Sequence, residues 1–417
     1  MDSNKRGRLM YVGQATFEYL ISILVHGSYL ASITKNLGMS DSLTGILSSV
    51  ISLGCLFQLL SLTFRVKRVK PFVVTFSLIN QLLFLLLYVI PIVQIPPQYK
   101  TIIFVISIFV AYFLYNLAHP NKIHWMMTFV DDRHRGSFTA NKEMISLVSG
   151  IVFSYVMGNV IDHFNEQGKT ETAFVVSTLV ILALTILHTV TLLLADDKPE
   201  TQRRKVNLLD NIKDLAKNKT ILKITLVFIL YYILNYAATP FYGAYCIHEL
   251  GFNLRTVSII TVFGNTSRIL VSRFWGRYAD KKSFAHMYEK CLIVLLISFA
   301  CMVFAVPANG IVMYALYIII HSIAMGGLNS AMINLIYDYV EVNKRADSLA
   351  ITQAFAGLTG FLTTLAVSPF VSFVQANNNT LFGLQVYAQQ ALSLLSLVLT
   401  AITICYVRLV VMKIKKD

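Results

Sequence analysis

Charged residues are scarce in this chain of 417 residues. Asp, Glu, Lys and Arg together make up only 13% of the sequence, against 56% hydrophobic residues, and the mean hydropathy is +0.65. Soluble globular proteins carry about 25% charged residues, so this composition excludes an ordinary soluble fold. It predicts a protein that crosses a membrane several times.

Patterns typical of catalytic and metal sites are also lacking. The five cysteines have the spacing of neither a disulfide framework nor a metal site. The sequence contains no glycine-rich phosphate loop, no paired-histidine zinc helix and no nucleophile elbow. These absences disfavour ATP-driven pumping and hydrolysis, so we expect neither an enzyme nor a bound cofactor or metal.

Long apolar segments recur along the whole chain. A helix needs about 20 mostly apolar residues to cross a bilayer, and the sequence predicts twelve such spans. They lie at roughly residues 9–34, 42–64, 71–94, 101–128, 141–163, 172–195, 221–247, 256–275, 286–306, 309–335, 348–374 and 382–411. The fold class that we expect is therefore an all-α integral membrane protein with twelve transmembrane helices.

Basic residues collect in alternate loops between the predicted spans. One loop holds Arg65, Lys67, Arg68 and Lys70, whereas the loops on the opposite side hold few Lys or Arg. Because loops rich in Lys and Arg stay in the cytoplasm, both termini are predicted to be cytoplasmic, in a plasma (inner) membrane. The net charge of +14 is explained by these loops facing anionic lipid, so no nucleic acid partner is expected.

A polar stretch divides the chain near its middle. It predicts an N-terminal six-helix bundle at 1–195, a cytoplasmic linker at 196–220 and a C-terminal six-helix bundle at 221–417. Within the linker, apolar residues at 208, 209, 212 and 215 share one face of a short amphipathic helix. Parallel repeats in the two halves are suggested by five positions that match at a shift of 210 residues. They are Val130, Asp131, Arg135, Ala140 and Gly150, which correspond to Val340, Glu341, Arg345, Ala350 and Gly360.

A polar stripe on the first predicted span indicates a pathway for a solute or for protons. Gln14, Glu18, Ser22, His26 and Tyr29 recur every three or four residues and so share one helix face. A carboxylate within the bilayer costs several kcal/mol unless it faces protein or water. Glu18 is therefore predicted to take up protons, with His26 as a second titrating group. The alternative is a structural hydrogen bond from Glu18 to a neighbouring helix.

Aromatic, amide and imidazole side chains mark further predicted spans. Such groups can stack on a solute and orient it, although each one alone also suits a contact between helices. The candidate substrate-binding residues are Gln14, Tyr29, Asn116, His119, Tyr232, Asn235, Tyr242, Tyr317 and His321. The middle of these spans contains no Arg, which disfavours a tightly held phosphate or dicarboxylate. Arg268 in the eighth span is expected to reach the inner membrane interface.

The segment after the eighth span reads Gly276-Arg277-Tyr278-Ala279-Asp280-Lys281-Lys282. A Gly, an Asp four residues later and flanking basic residues, together with twelve spans and a long central loop, resemble the major facilitator superfamily. Residues 65–70, after the second span, keep the positive charge but have neither the Gly nor the Asp. The resemblance implies two bundles that rock in alternating access around a central site, lined mainly by helices 1, 4, 7 and 10.

The resemblance also implies a gate at the cytoplasmic end. Asp280 is expected to lie at the first turn of the fifth helix, close to Arg135, where the helix dipole favours an anion. The residues assigned to this gate are Gly276, Arg277, Asp280, Lys281, Arg135 and Arg345.

The function expected is secondary active transport by a monomer. The cargo is a small neutral or weakly charged organic solute, sugar-like or otherwise polar, and protons are the coupling ion. Proton-driven export of amphipathic compounds and a non-transporting membrane sensor of the same fold are the alternatives.

Overall fold

The computed structural model describes residues 3–61, 66, 68–131, 134–197, 217–340, 345–381 and 383–414. The amphipathic helix predicted around residues 208–215 lies outside the described residues, as do Arg65 and Lys67. Most of the predicted linker at 196–220 is likewise outside them.

Helices form most of the first part of the described chain. They are α1 (Ser3–Leu24), α2 (Gly27–Asn36), α3 (Asp41–Ser49), a 3-10 turn (Val50–Leu53), α4 (Gly54–Ser61), α5 (Val69–Val89), α6 (Pro97–Met127), α7 (Arg135–Glu166) and α8 (Thr170–Leu194).

The second part of the described chain is also helical. It contains α9 (Lys219–Tyr236), α10 (Thr239–Ala244), a π-helical turn (Tyr245–Glu249), α11 (Leu254–Lys281), α12 (Phe284–Val303), α13 (Gly310–Tyr339), α14 (Arg345–Ala376), α15 (Ala388–Leu409) and a 3-10 turn (Val411–Lys413). Two short antiparallel strands, Thr380–Leu381 and Leu384–Gln385, pair between α14 and α15. The predicted all-α membrane fold class is confirmed.

Ten helical stretches among the described residues are long and apolar enough to cross a membrane. The two other predicted spans, at 9–34 and 256–275, are helical as well. The first is interrupted after Leu24 and carries the Glu18 stripe, and the second carries Arg268 and Arg273. The polar residues of these two spans explain why their mean hydropathy is lower than that of the other ten.

The break in the first span has a local cause. α1 ends at Leu24, and Gly27 begins α2 with a φ of +55°, a conformation that glycine adopts without strain. Helix ends leave backbone carbonyls without partners, and the Tyr88 hydroxyl donates to the Leu24 carbonyl at 2.6 Å. A similar break precedes Pro240, which cannot donate a backbone hydrogen bond.

The helices pack into two compact units. Unit 1 consists of Met1–Met39, Leu60–Lys205 and Asn253–Ser258, and unit 2 of Ser40–Leu59, Val206–Phe252 and Ile259–Asp417. Within unit 1, α1 packs on α7 and α8, and α5 packs on α6 and α8. Within unit 2, α12 packs on α13 and α15, while α14 packs on α9 and α3. Each unit thus draws most of its helices from one half of the chain.

Asp162 holds the short segment Asn253–Ser258 in unit 1. Its carboxylate accepts hydrogen bonds from the backbone N–H groups of Leu254 at 3.2 Å and Arg255 at 2.6 Å. These N–H groups belong to the first turn of α11, where they have no partner within the helix. The carboxylate therefore caps the start of α11.

Asp41 plays a comparable part for the segment Ser40–Leu59 in unit 2. Its buried carboxylate pairs with His248 and accepts a hydrogen bond from Gln375 Nε2 at 2.8 Å. Glu249 accepts a further hydrogen bond from the same Gln375 nitrogen at 3.1 Å. This polar group ties the start of α3 to the end of α14 and to the π-helical turn.

Candidate functional site

A buried ion pair lies in the membrane-spanning part of unit 1. The Glu18 carboxylate on α1 pairs with the Lys122 ammonium on α6, and their side chains are only 15% and 3% exposed. His188 on α8 is fully buried, with Nε2 3.4 Å from the same carboxylate oxygen of Glu18. Three helices of unit 1 thus converge on one carboxylate.

Two further side chains of α6 complete this group. The Lys122 ammonium lies 5.3 Å from the centre of the Tyr115 ring, and the Tyr115 ring lies 5.1 Å from the His119 ring. Residues 115, 119 and 122 share one helix face, since they are separated by four and three positions. We call Glu18, Tyr115, His119, Lys122 and His188 the Glu18 cluster.

The energetics of the Glu18 cluster point to function rather than to stability. Removing a carboxylate and an ammonium from water costs several kcal/mol for each ion, which their attraction repays only with good geometry and further hydrogen bonds. Replacing such a pair by apolar residues is often neutral or stabilising. Ionisable groups inside a membrane accordingly mark the pathways of substrates and protons.

The other candidates in unit 1 differ in their surroundings. His26 is exposed between α1 and α2, and no contact joins it to the Glu18 cluster in the described part of the chain. The Tyr29 hydroxyl donates to the Ser154 carbonyl at 2.6 Å. Asn116 Nδ2 donates to the Tyr112 carbonyl at 2.8 Å.

Gln14 and His119 remain open to a ligand. Gln14 Oε1 and His119 Nδ1 are buried, and neither atom has a hydrogen-bond partner among the described residues. Because buried polar atoms are nearly always hydrogen-bonded, these two are better placed to bind a solute than Tyr29 and Asn116.

Three of the candidates in unit 2 form one aromatic row. The Tyr242 ring meets the Tyr317 ring edge-on at 4.9 Å, and the Tyr317 ring lies 5.2 Å from the His321 ring. The Tyr242 hydroxyl is hydrogen-bonded to the Ser393 hydroxyl at 2.7 Å. His321 Nε2 is buried and has no partner in the described part of the chain.

The remaining candidates of unit 2 lie on α9. The rings of Tyr232 and Tyr236 stack at 5.5 Å with 7° between their planes. Asn235 Oδ1 is buried without a hydrogen-bond partner among the residues described. An aromatic surface beside an unsatisfied amide oxygen can stack on a flat solute and accept a hydrogen bond from it.

The residues assigned to the gate lie on a helix rather than in a loop. α11 continues to Lys281, so Gly276, Arg277, Asp280 and Lys281 occupy its last turns, and all four residues are exposed. Arg345 donates from Nε to the Val340 carbonyl at 2.9 Å, at the end of α13. The side chain of Arg135 lies outside the described residues, so its pairing with Asp280 stays a prediction.

Sequence reasoning missed Lys122 and His188. Lys122 lies inside the fourth predicted span, one turn beyond His119. The rule that singled out Glu18, an ionisable residue within an apolar span, would have found Lys122 too. His188 in the sixth span carries a weaker signal, because a lone histidine in a helix bundle commonly makes a contact between helices.

A chain of many membrane-spanning helices that buries an ion pair among them has the character of a membrane transporter. The family model for the Major Facilitator Superfamily matches residues 12–364. The chain therefore belongs to this superfamily and is a multi-pass membrane transporter, not an enzyme.

Solved structures with the same fold include several transporters. A mutant form of the nucleoside transporter NupG superposes with a TM-score of 0.75 at 14% identity, covering 96% of this chain and 99% of that one. An inward-facing, unoccupied bacterial homolog of the human lysosomal transporter Spinster gives 0.68 at 12% identity, covering 98% and 96%. A D-xylose-proton symporter gives 0.61 at 12% identity, covering 95% of each chain. No curated protein matches the chain by sequence.

Proposed function

We propose that this protein is a secondary active transporter that moves a small neutral or weakly charged organic solute by alternating access, with protons coupled through Glu18. The observation that carries the proposal is the buried ion pair of Glu18 and Lys122. We further infer that it works in the plasma membrane with both termini in the cytoplasm, because of the asymmetry of Lys and Arg between its loops.

The Glu18 cluster has two charge states with different contacts. The ionised carboxylate attracts Lys122 on α6 and lies beside His188 on α8. A proton on Glu18 removes that attraction and leaves Lys122 as an uncompensated buried cation, which costs several kcal/mol. Proton binding therefore favours an arrangement of the helices in which the ammonium reaches water or another partner, and this is how a proton can drive a conformational step.

The open polar atoms define the solute chemistry that we propose. Gln14 and His119 in unit 1, and Asn235 and His321 in unit 2, each keep a buried polar atom without a partner in the described chain. The nearby tyrosine rings suit the face of a ring-shaped solute. Two of the structural neighbours transport a nucleoside and D-xylose, and ring-bearing polar solutes of this size are the cargo that we infer.

Transport by purified protein in proteoliposomes tests the proposal. Counterflow against a panel of nucleosides, pentoses and small organic acids identifies the solute, and an imposed pH gradient should drive its accumulation. Glu18→Gln, which mimics the protonated carboxylate, should abolish accumulation and spare exchange. Glu171→Gln is the matched control, because Glu171 is exposed at the first turn of α8. Undiminished accumulation by Glu18→Gln would show that Glu18 does not couple transport to protons.

A further inference from the structure

An arginine without an acidic partner lies at the middle of a predicted span in unit 2. Arg268 is near the centre of α11, which runs from Leu254 to Lys281. No carboxylate among the residues that the structure describes forms an ion pair with it. Sequence reasoning expected this side chain to extend to the membrane interface.

The face of α11 that carries Arg268 is the buried one. Ile260, Trp275 and Ala279 are 5%, 6% and 5% exposed, and position 268 shares their side of the helix by its three- and four-residue spacing. The opposite side is exposed, with Leu270 at 73%. Arg268, which is itself half-buried, therefore lies on the side of α11 that faces unit 2.

Groups of two neighbouring helices, α13 and α9, lie near Arg268. A methyl group added to Gly326 on α13 would lie 3.3 Å from the Arg268 carbonyl oxygen and 3.8 Å from its Cγ, so this glycine lets α11 approach α13 closely. His321 of α13 and Tyr231 of α9 are within electrostatic range of Arg268. The groups found near this half-buried side chain thus carry no negative charge.

The surroundings of Arg268 contain donors and aromatic rings in place of an acid. The Tyr231 hydroxyl is engaged with Met325 Sδ at 3.2 Å. His321 Nε2 is buried and has no partner in the described chain, and its ring packs beside Tyr317. A charged side chain within a membrane span normally pairs with another group or faces a water-filled cavity, and a ligand can supply the anion that this half-buried arginine lacks.

We propose that Arg268 and His321 bind the carboxylate of an organic monoanion whose aromatic ring packs against Tyr231 and Tyr317. A guanidinium matches a carboxylate in a bidentate geometry, whereas a single cation leaves part of a dianion's charge uncompensated. The inference rests on the proposed function only in taking this ligand to be the transported solute.

Binding to the purified full-length protein tests the proposal without any transport. The probes are benzoate and 4-hydroxybenzoate, each compared with its uncharged amide, benzamide or 4-hydroxybenzamide. Trp275 reports binding by its fluorescence, because it lies two turns from Arg268 on α11 and its Nε1 donates to the Ile323 carbonyl at 2.8 Å. Trp125→Phe removes the other tryptophan. We expect each acid to bind at least tenfold more tightly than its amide.

Substitutions locate the site. Arg268→Gln should weaken binding of the acids at least tenfold, Arg268→Lys should retain part of it, and His321→Gln should weaken it several-fold. Arg273→Gln is the matched control, since it removes the same charge from an exposed position of the same helix and should leave binding unchanged.

Three results would overturn the proposal. They are equal binding of acid and amide by the parent protein, unchanged binding of the acids by Arg268→Gln, and failure of every acid to bind. The comparison of acid with amide uses only the parent protein, so it tests the proposal even where Arg268→Gln does not fold. Binding of the acids without proton-driven accumulation would refute the proton coupling through Glu18 and leave this site in place. Proton-driven accumulation of a solute without binding of the acids would refute the Arg268 site and leave the proton coupling in place.

Discussion

The ion pair of Glu18 and Lys122 makes a strong prediction about single and double substitutions. Lys122→Gln leaves a carboxylate whose side chain is 15% exposed, and Glu18→Gln leaves an ammonium whose side chain is 3% exposed. Breaking a buried pair in this way costs about 3–5 kcal/mol, because an uncompensated charge remains. The double variant buries no ion at this position, so we expect it to recover most of the loss, with a coupling energy of at least about 5 kcal/mol.

Thermal unfolding of the purified protein measures this coupling. One kcal/mol shifts the melting temperature by about 2–4 °C for 150–250 residues, so each single variant should melt roughly 6 °C or more below the parent. The double variant should melt within about 3 °C of the parent. Lys169→Gln with Glu171→Gln is the control pair, since both residues are exposed. If the Glu18 and Lys122 effects simply add in the double variant, the reasoning about an uncompensated charge is refuted.

Three further predictions concern other acidic residues. Asp162→Ala should lower the stability by about 0.5–2 kcal/mol through loss of the cap of α11, while Asp162→Asn keeps a capping oxygen and should cost less in the same melting assay. Asp41→Asn should cost about 1.5–3 kcal/mol through its contact with His248, and a melting temperature equal to the parent's would contradict this. Asp280→Asn should speed the labelling of a single cysteine introduced on the cytoplasmic side of the solute pathway, and unchanged labelling would count against a gate at Asp280.

The fold was largely predictable because the membrane restricts the choices. Long apolar runs in a bilayer form helices, since no water is present to satisfy an exposed backbone. The breaks after Leu24 and before Pro240 depend on local backbone chemistry. A proline within a predicted span, such as Pro240, is a sequence signal for a break of this kind. Gly27 gave no comparable signal, because glycine is tolerated within transmembrane helices.

The Glu18 cluster was predictable only in part. The position of Glu18 follows from helical periodicity, but its partners come from α6 and α8, and no local pattern in a single sequence specifies which helices pack together. His26 shares the Glu18 stripe only if the helix continues unbroken, whereas α1 ends at Leu24. Because the helix breaks before Gly27, His26 does not continue the helix face that carries Glu18. His188 of another helix lies beside Glu18 instead.

The tyrosines show a second limit of sequence reasoning. A buried hydroxyl seeks an acceptor wherever one is available, and Tyr29 and Tyr242 find Ser154 and Ser393 within their own units. Composition cannot separate such tyrosines from those that face a solute. Residues that face a solute are better identified by their remaining hydrogen-bonding capacity. Asn235, which has a buried polar atom without a partner among the described residues, is therefore a stronger candidate for solute binding.

The two units differ in how the charge of a cation inside a membrane span is balanced, and this difference assigns them different parts in our proposals. Lys122 in unit 1 is neutralised by Glu18, so its charge becomes uncompensated only when a proton arrives. Arg268 in unit 2 is half-buried and forms no ion pair with an acid among the described residues, so a ligand can neutralise it. A proton on Glu18 and a monoanion on Arg268 together carry no net charge. Their joint passage would do no work against the membrane potential, which otherwise costs about 2.3 kcal/mol per charge for 100 mV, and the pH gradient would supply the driving force.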